Sequence, residues 1–165
     1  MVGGICIKFG DGVNTDVIMP GRYLVSIDPA ELAEHVFEPL GTDVVARVRN
    51  SRVIVAGFNF GCGSAREQAA SGLVGAGVVA VVAKSFARTF FRNAINTGLL
   101  AITQPDAADS IADGEEVFVD LANAVVVVGD RSYPFPAYPE SLVEIINVGG
   151  LIPYISQKLL DGGVA

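Results

Sequence analysis

The residues best equipped for chemistry lie in the segment Gly57–Gln68, GFNFGCGSAREQ. Its glycines let backbone approach a ligand closely, and a helix beginning at Ser64 would aim free N–H groups and a partial positive charge at that ligand. Arg66 would then stand in a first turn, where the helix dipole favours acids. A guanidinium there makes sense if a carboxylate or phosphate is held between it and the helix end. The bland reading uses the same residues. Ser64-Ala65-Arg66-Glu67 has the spacing of a capping box, with Arg66 solvated and Cys62 a small, half-buried filler. The two readings are compatible, because a capping hydroxyl sits among donors that can stabilise its alkoxide. The segment lacks the Gly-Lys-Ser/Thr of a phosphate loop, and Arg66 occupies the place of the third glycine in a dinucleotide fingerprint.

A second polar cluster, Gly10–Arg22 (GDGVNTDVIMPGR), sets Asn14-Thr15-Asp16 between apolar residues in a loop longer than a connector needs. An Asx-type turn accounts for the triplet by itself. In a third cluster, KSFART, Lys84 and Arg88 flank a helix start at Ser85, where capping and solvated charge suffice. His35 is the one histidine, so a three-histidine zinc site and an HExxH motif are excluded. With no second reactive group beside it, hydrolase readings are set aside. Cys6 and Cys62 are too few to ligate an iron–sulfur cluster or a structural zinc alone.

Positioning these groups falls to an alternating middle. Arg52–Ala56, Val78–Ala83 and Leu99–Thr103 read as apolar strands, of the kind covered on both faces in a parallel sheet. Between them, Ser64–Ala76 spaces Ala65, Ala69, Leu73 and Ala76 along one helical face. Ser85–Thr97 does the same with Phe86, Phe90, Ala94 and Thr97 before a stop at Gly98. Such alternation means parallel strands joined by right-handed crossovers. Both helix starts then fall on one sheet edge, where open α/β sheets hold ligands. On the flanks, Ile5–Phe9 is a strand and Gly10–Pro20 an irregular loop. Asp28 caps a helix, with Pro29 first and Glu31 completing a capping box. His35 falls on that helix. Glu115–Asp120, Ala124–Val128 and Arg131–Phe135 predict an antiparallel meander, followed by short helices over 139–148 and 153–160.

The 165 residues suit a single domain spanning 1–165. Eleven basic against 18 acidic residues leave a formal net charge of −7, which argues against nucleic acid as a partner. Only 18% of residues are charged while 51% are hydrophobic, and mean hydropathy is +0.49. Some apolar surface is therefore expected to meet a partner. The longest low-polarity run, Leu73 to Ala83, stops at Lys84 and is far short of the roughly 20 residues a membrane helix needs. The opening MVGGICIKFG lacks the pattern of a secretory signal, so the expected location is cytoplasmic.

GDGVNTDVIMPGRYL, GFNFGCGSAREQA and AKSFARTFFRNAINTGLL, in that order and spacing, resemble the small subunits of 3-isopropylmalate dehydratase. The resemblance is to the short form shared with homoaconitase small subunits, equivalent to the swivelling domain of aconitase, and runs from about Phe9 to Ala101. It implies an α/β fold of three β/β/α layers, with a parallel central sheet and a smaller antiparallel part. It also implies a heteromer whose large subunit carries a [4Fe–4S] cluster, with no cofactor or metal in this chain. The unique iron would bind the substrate's hydroxyl and carboxylate and act as Lewis acid on the departing hydroxyl.

Residue by residue, Ser64 matches the serine whose alkoxide takes the proton α to a carboxylate. Such a base needs N–H groups and cations around it. Arg66 matches the arginine that grips a substrate carboxylate, and Asp16 the aspartate that lines the site and orients both. Gly61, Cys62 and Gly63 and the loop Tyr23, Leu24, Val25 and Ser26 would contact the substrate, a small 2-hydroxy diacid. Homoaconitase-like chains carry an arginine just past the Tyr-Leu pair. Here Val25-Ser26-Ile27 presents apolar surface, which favours an isopropyl group over an additional, unpaired carboxylate. The implied activity is a hydro-lyase turning 2-isopropylmalate into 3-isopropylmalate in leucine biosynthesis. Ala65 and Gln68 depart from the family, which usually has a second serine and a histidine there. A homoaconitase, citraconate/methylmalate or dimethylmalate type of dehydratase, or a non-catalytic anion-binding module of the same fold, are the alternatives. Self-association of the isolated subunit through an apolar face is a further expectation.

Overall fold

The computed structural model describes residues 1–162. Seven strands, β1 (Val2–Lys8), β2 (Val53–Ala56), β3 (Ala80–Ala83), β4 (Leu100–Thr103), β5 (Glu116–Asp120), β6 (Val125–Val128) and β7 (Arg131–Pro134), are ordered β4-β3-β2-β1-β5-β6-β7. The helices are α1 (Thr15–Ile18), α2 (Pro29–Ala33), α3 (Thr42–Asn50), α4 (Glu67–Gly75), α5 (Arg88–Asn96), α6 (Pro105–Ser110), α7 (Glu140–Asn147) and α8 (Leu151–Leu160).

β1 belongs to two ladders. Its end, Cys6–Lys8, pairs in parallel with β2, and its start, Val2–Ile5, pairs antiparallel with β5. β2, β3 and β4 continue the parallel side, while β5, β6 and β7 form the meander. Alternation along the apolar strands decides the layers. Ile54, Val81 and Ala101 face a cluster with Leu73 of α4 and Phe90 of α5. Val53, Val55, Val82 and Ile102 face the opposite way, into a cluster with Val117, Val119, Val126 and Val128 of the meander. The sheet therefore curls its antiparallel half across the parallel half. With helices on the far side, the layers are β/β/α as expected.

Three helices escape the sequence reading. α1 is a single turn inside the Gly10–Pro20 segment expected to be an irregular loop, α3 buries only Val48, and α6 has six residues, so none offers much periodic apolar signal. α2 keeps its Asp28 cap, the carboxylate accepting the Ala30 N–H at 2.9 Å. Its capping box does not form. The Glu31 carboxylate accepts the Ser26 hydroxyl at 2.6 Å, and that hydroxyl in turn accepts the Asp28 N–H at 3.2 Å. His35 lies beyond the end of α2.

Candidate active site

The segments leaving the carboxyl ends of β1, β2 and β3 interlock. The middle one, residues 57–66, runs between 10–16 and 84–87. On one side Gly12, Gly61 and Thr15 N–H groups donate to the carbonyls of Phe58, Val13 and Cys62, each at 2.8 Å. The Asp11 carboxylate accepts the Phe58 N–H at 2.8 Å. On the other side Phe60 N–H donates to the Ser85 carbonyl at 3.0 Å, and the Ser85 hydroxyl accepts the Asn59 N–H at 2.8 Å. Backbone bonds to both neighbours thus determine the loop's shape.

Its glycines are demanded by that shape. Gly61, at φ +76°, lies under Phe90, whose ring a Cβ would overlap. Gly63, at φ +96°, lies beside Asn14, and a Cβ there would come 2.5 Å from the Asn14 Oδ1. Gly61 is buried, so its tight approach is to the protein itself.

Helix α4 begins at Glu67, two residues later than its Ser64 capping signal predicts. Arg66 is the flanking residue, extended at φ −135° and ψ 111° and without a side-chain cap. The buried Thr15 explains the delay, since its hydroxyl donates to the Ser64 carbonyl at 2.8 Å. The Arg66 guanidinium adds to it by donating to the Met19 carbonyl at 3.0 Å and pairing through Nη2 with the Asp16 carboxylate. These bonds keep 64–66 out of the helix, so neither Ser64 nor Glu67 forms the capping box. α5 likewise starts at Arg88 instead of Ser85, because Ser85 is engaged by Asn59 and Phe60.

The Asn14-Thr15-Asp16 triplet divides its labour. Asn14 caps α1, its Oδ1 accepting the Asp16 N–H at 2.8 Å. Thr15 ties the loop to Ser64, and Asp16 meets Arg66. The Arg66 side chain is 15% exposed and that of Asp16 54%, so the cation is sunk while its carboxylate partner stays open. Ser64 is exposed and its hydroxyl bonds to no described residue. The backbone N–H groups of Gly63, Ser64, Ala65 and Arg66 likewise donate to no described residue. An exposed hydroxyl, four free N–H donors and a guanidinium within four residues make a surface suited to an anionic ligand.

The other predicted contacts flank this surface. Cys62 is half-buried, its thiol 3.4 Å from the Gly12 carbonyl. Tyr23 stacks on His35 with ring centroids 3.6 Å apart, and Arg22 lies over the Tyr23 ring. The Tyr23 hydroxyl and Arg22 hold the Glu38 carboxyl below its ordinary value. The Leu24 carbonyl accepts the Gln68 side-chain amide at 3.2 Å. Ser26 is occupied with Glu31, while Val25 is 93% and Ile27 88% exposed. The sequence reading misses Thr15 and Gln68 as positioning residues. Gln68 stands out only as a departure from the family, and its tie to Leu24 needs a contact across 44 positions.

Comparisons with known proteins agree on one relationship. Residues 30–107 match the family described as the aconitase C-terminal domain. The chain is similar to the 3-isopropylmalate dehydratase small subunit of Moorella thermoacetica, 45% identical over 161 residues, 96% of this chain and 97% of that protein. The protein of the same name from Methanosarcina mazei is 46% identical over 156 residues, 93% of this chain and 95% of that one. Among solved structures, 3-isopropylmalate dehydratase from Methanocaldococcus jannaschii superposes with a TM-score of 0.88 at 42% identity, covering 98% of this chain and 96% of the other.

Proposed function

The chain belongs to the family of 3-isopropylmalate dehydratase small subunits, and on that premise we propose that Asp16, Ser64 and Arg66 are its contribution to a shared active site. The enzyme is a heteromeric hydro-lyase of leucine biosynthesis, active with its large subunit. It isomerises 2-isopropylmalate to 3-isopropylmalate by removing and re-adding water. The observation that carries the site reading is that residues 63–66 hold an open Ser64 hydroxyl, four unengaged N–H groups and a guanidinium paired with Asp16.

In this reading Arg66 takes a substrate carboxylate on the face that Asp16 leaves free. Asp16 fixes the plane of the guanidinium, and the Met19 carbonyl holds its other arm. Ser64, as alkoxide, removes the proton α to that carboxylate. The neighbouring N–H groups and Arg66 lower the cost of its negative charge. Gly61, Cys62 and Gly63 shape the floor, and Tyr23 to Ser26 form the wall, where outward Val25 meets the isopropyl group.

This chain's residues do not fit an iron–sulfur cluster. The Cys6 thiol is buried, donates to the Ala112 carbonyl, and is pushed up in pKa by burial. Cys62 stands apart on the site loop, and no three His, Cys, Asp or Glu among the described residues converge to hold a metal. We therefore assign the [4Fe–4S] cluster to the large subunit, where it would bind the substrate's hydroxyl and carboxylate. The whole chain acts as one swivel domain closing over that subunit. No described helix is long and apolar enough to cross a membrane.

Mixing the chain with its cluster-loaded large subunit and 2-isopropylmalate tests this by the ultraviolet absorbance of the unsaturated diacid. Ser64→Ala should lower turnover about a thousandfold or more while substrate affinity stays near wild type. Near-normal turnover in that variant would remove Ser64 as the base.

A further inference from the structure

The distribution of positive charge points to a second contact with the large subunit, beyond the shared active site. Of 11 lysines and arginines, seven stand in ion pairs and Lys8 donates to the Asp109 and Ile111 carbonyls. Arg52, Arg88 and Arg92 have no such partner among the described residues. In a chain with 18 acidic residues, idle arginines are the exception. Two of the three, Arg88 and Arg92, are one helical turn apart on α5, a spacing at which like charges repel. No acid in the first turn of α5 offsets them.

Both are exposed and line a shallow depression of about 330 Å³ with Ser85, Phe86, Phe91 and Thr103. Beside it, Phe58 is 53% exposed with the Lys84 ammonium 5.0 Å above its ring. The depression borders the 84–87 segment, on the flank of the 57–66 loop away from Asp16. Arginine and aromatic side chains are the residues that carry binding energy in protein interfaces. A pair of unpaired guanidinium groups there is complementary to carboxylates.

We propose that Arg88 and Arg92 dock an acidic segment of the large subunit, holding this chain's sheet edge against the partner while the Asp16–Arg66 side meets substrate. The inference rests on the heteromeric reading above. Subunit affinity, measured by titrating the large subunit into the full chain, tests it. Arg88→Glu with Arg92→Glu should weaken association tenfold or more, and Arg88→Gln with Arg92→Gln several-fold, at unchanged thermal midpoint. Arg52→Glu, the third unpaired cation, lies far from this depression and should leave affinity unchanged. Wild-type affinity should fall with added salt, more steeply than that of the Gln pair. Activity lost by the Glu pair at limiting large subunit should return as that subunit is raised.

Affinity indifferent to both double variants would overturn this inference alone. The same holds for unchanged affinity with a reduced kcat/KM, which would make the patch a substrate-attracting surface. A wild-type chain that does not bind the large subunit at all would overturn the heteromeric reading and this inference with it.

Discussion

Two of the places where carboxylates meet arginines end differently. At the base of the meander, Asp113 accepts the Lys8 N–H at 2.9 Å and Arg47 at 2.6 Å, while Glu115 accepts the Ala112 N–H and Arg131. These bonds hold both carboxyls below their ordinary values, the Lys8 N–H leading at Asp113 and Arg131 at Glu115. Even the Ser110 hydroxyl is used, between Tyr133 and Arg131. Every strong donor there finds an internal acceptor. At the 57–66 loop the arginine is sunk and paired with Asp16, yet the adjacent hydroxyl and N–H groups stay open. The first arrangement closes a fold. The second fixes loops through their backbones and leaves the ends of the polar groups for something else.

The widest gap between the two should come from Ser64→Ala, with turnover down about a thousandfold and the thermal midpoint within about 2 °C of wild type. Gly61→Ala, under Phe90 at positive φ, should instead cost about 3 kcal/mol of stability by urea unfolding. Gly77→Ala, at φ +88° with open space around it, should cost only about 1 kcal/mol. Asp16→Asn keeps the shape but releases the Arg66 guanidinium. A fall of about tenfold to a hundredfold in kcat/KM is expected, with stability little changed. An unchanged kcat/KM would make the Asp16–Arg66 pair as purely structural as those of the meander.

The smallest effect is the acid limb of stability. The folded pKa of Asp113 lies below the unfolded value, so its contribution is present above that unfolded value and lost as pH falls through the folded one. Unfolding midpoints of wild type and Asp113→Asn should differ by a steady amount above about pH 5 and draw together only as pH falls below about 4 and through the folded value. A gap that persists in acid would assign the effect to packing.

Much of this was legible in the chain. VIVA, AVVA and LAIT are apolar on both parities, which suits strands covered on two faces, and the glycine and serine runs mark where they end. The helix starts were not legible. Ser64 and Ser85 carry capping signals, but Thr15, Asn59 and Phe60 engage those residues first, and the helices begin at Glu67 and Arg88. The capping signal at Asp28 survives because its Oδ1 has no competing partner, whereas Glu31 is diverted by Ser26.

The order of residue types along the chain by itself determined the alternation of strand and helix, the sheet edge that would receive a ligand, and the polar residues available there. Those follow from periodicity and composition, which act over a few neighbours. Only the tertiary structure decided which polar groups would be consumed and which left free. Asp16 reaches Arg66, and Thr15 the Ser64 carbonyl, across about 50 positions of chain. A hydrogen bond is short and directional, so its partners are settled only when the sheet has brought the two loops side by side.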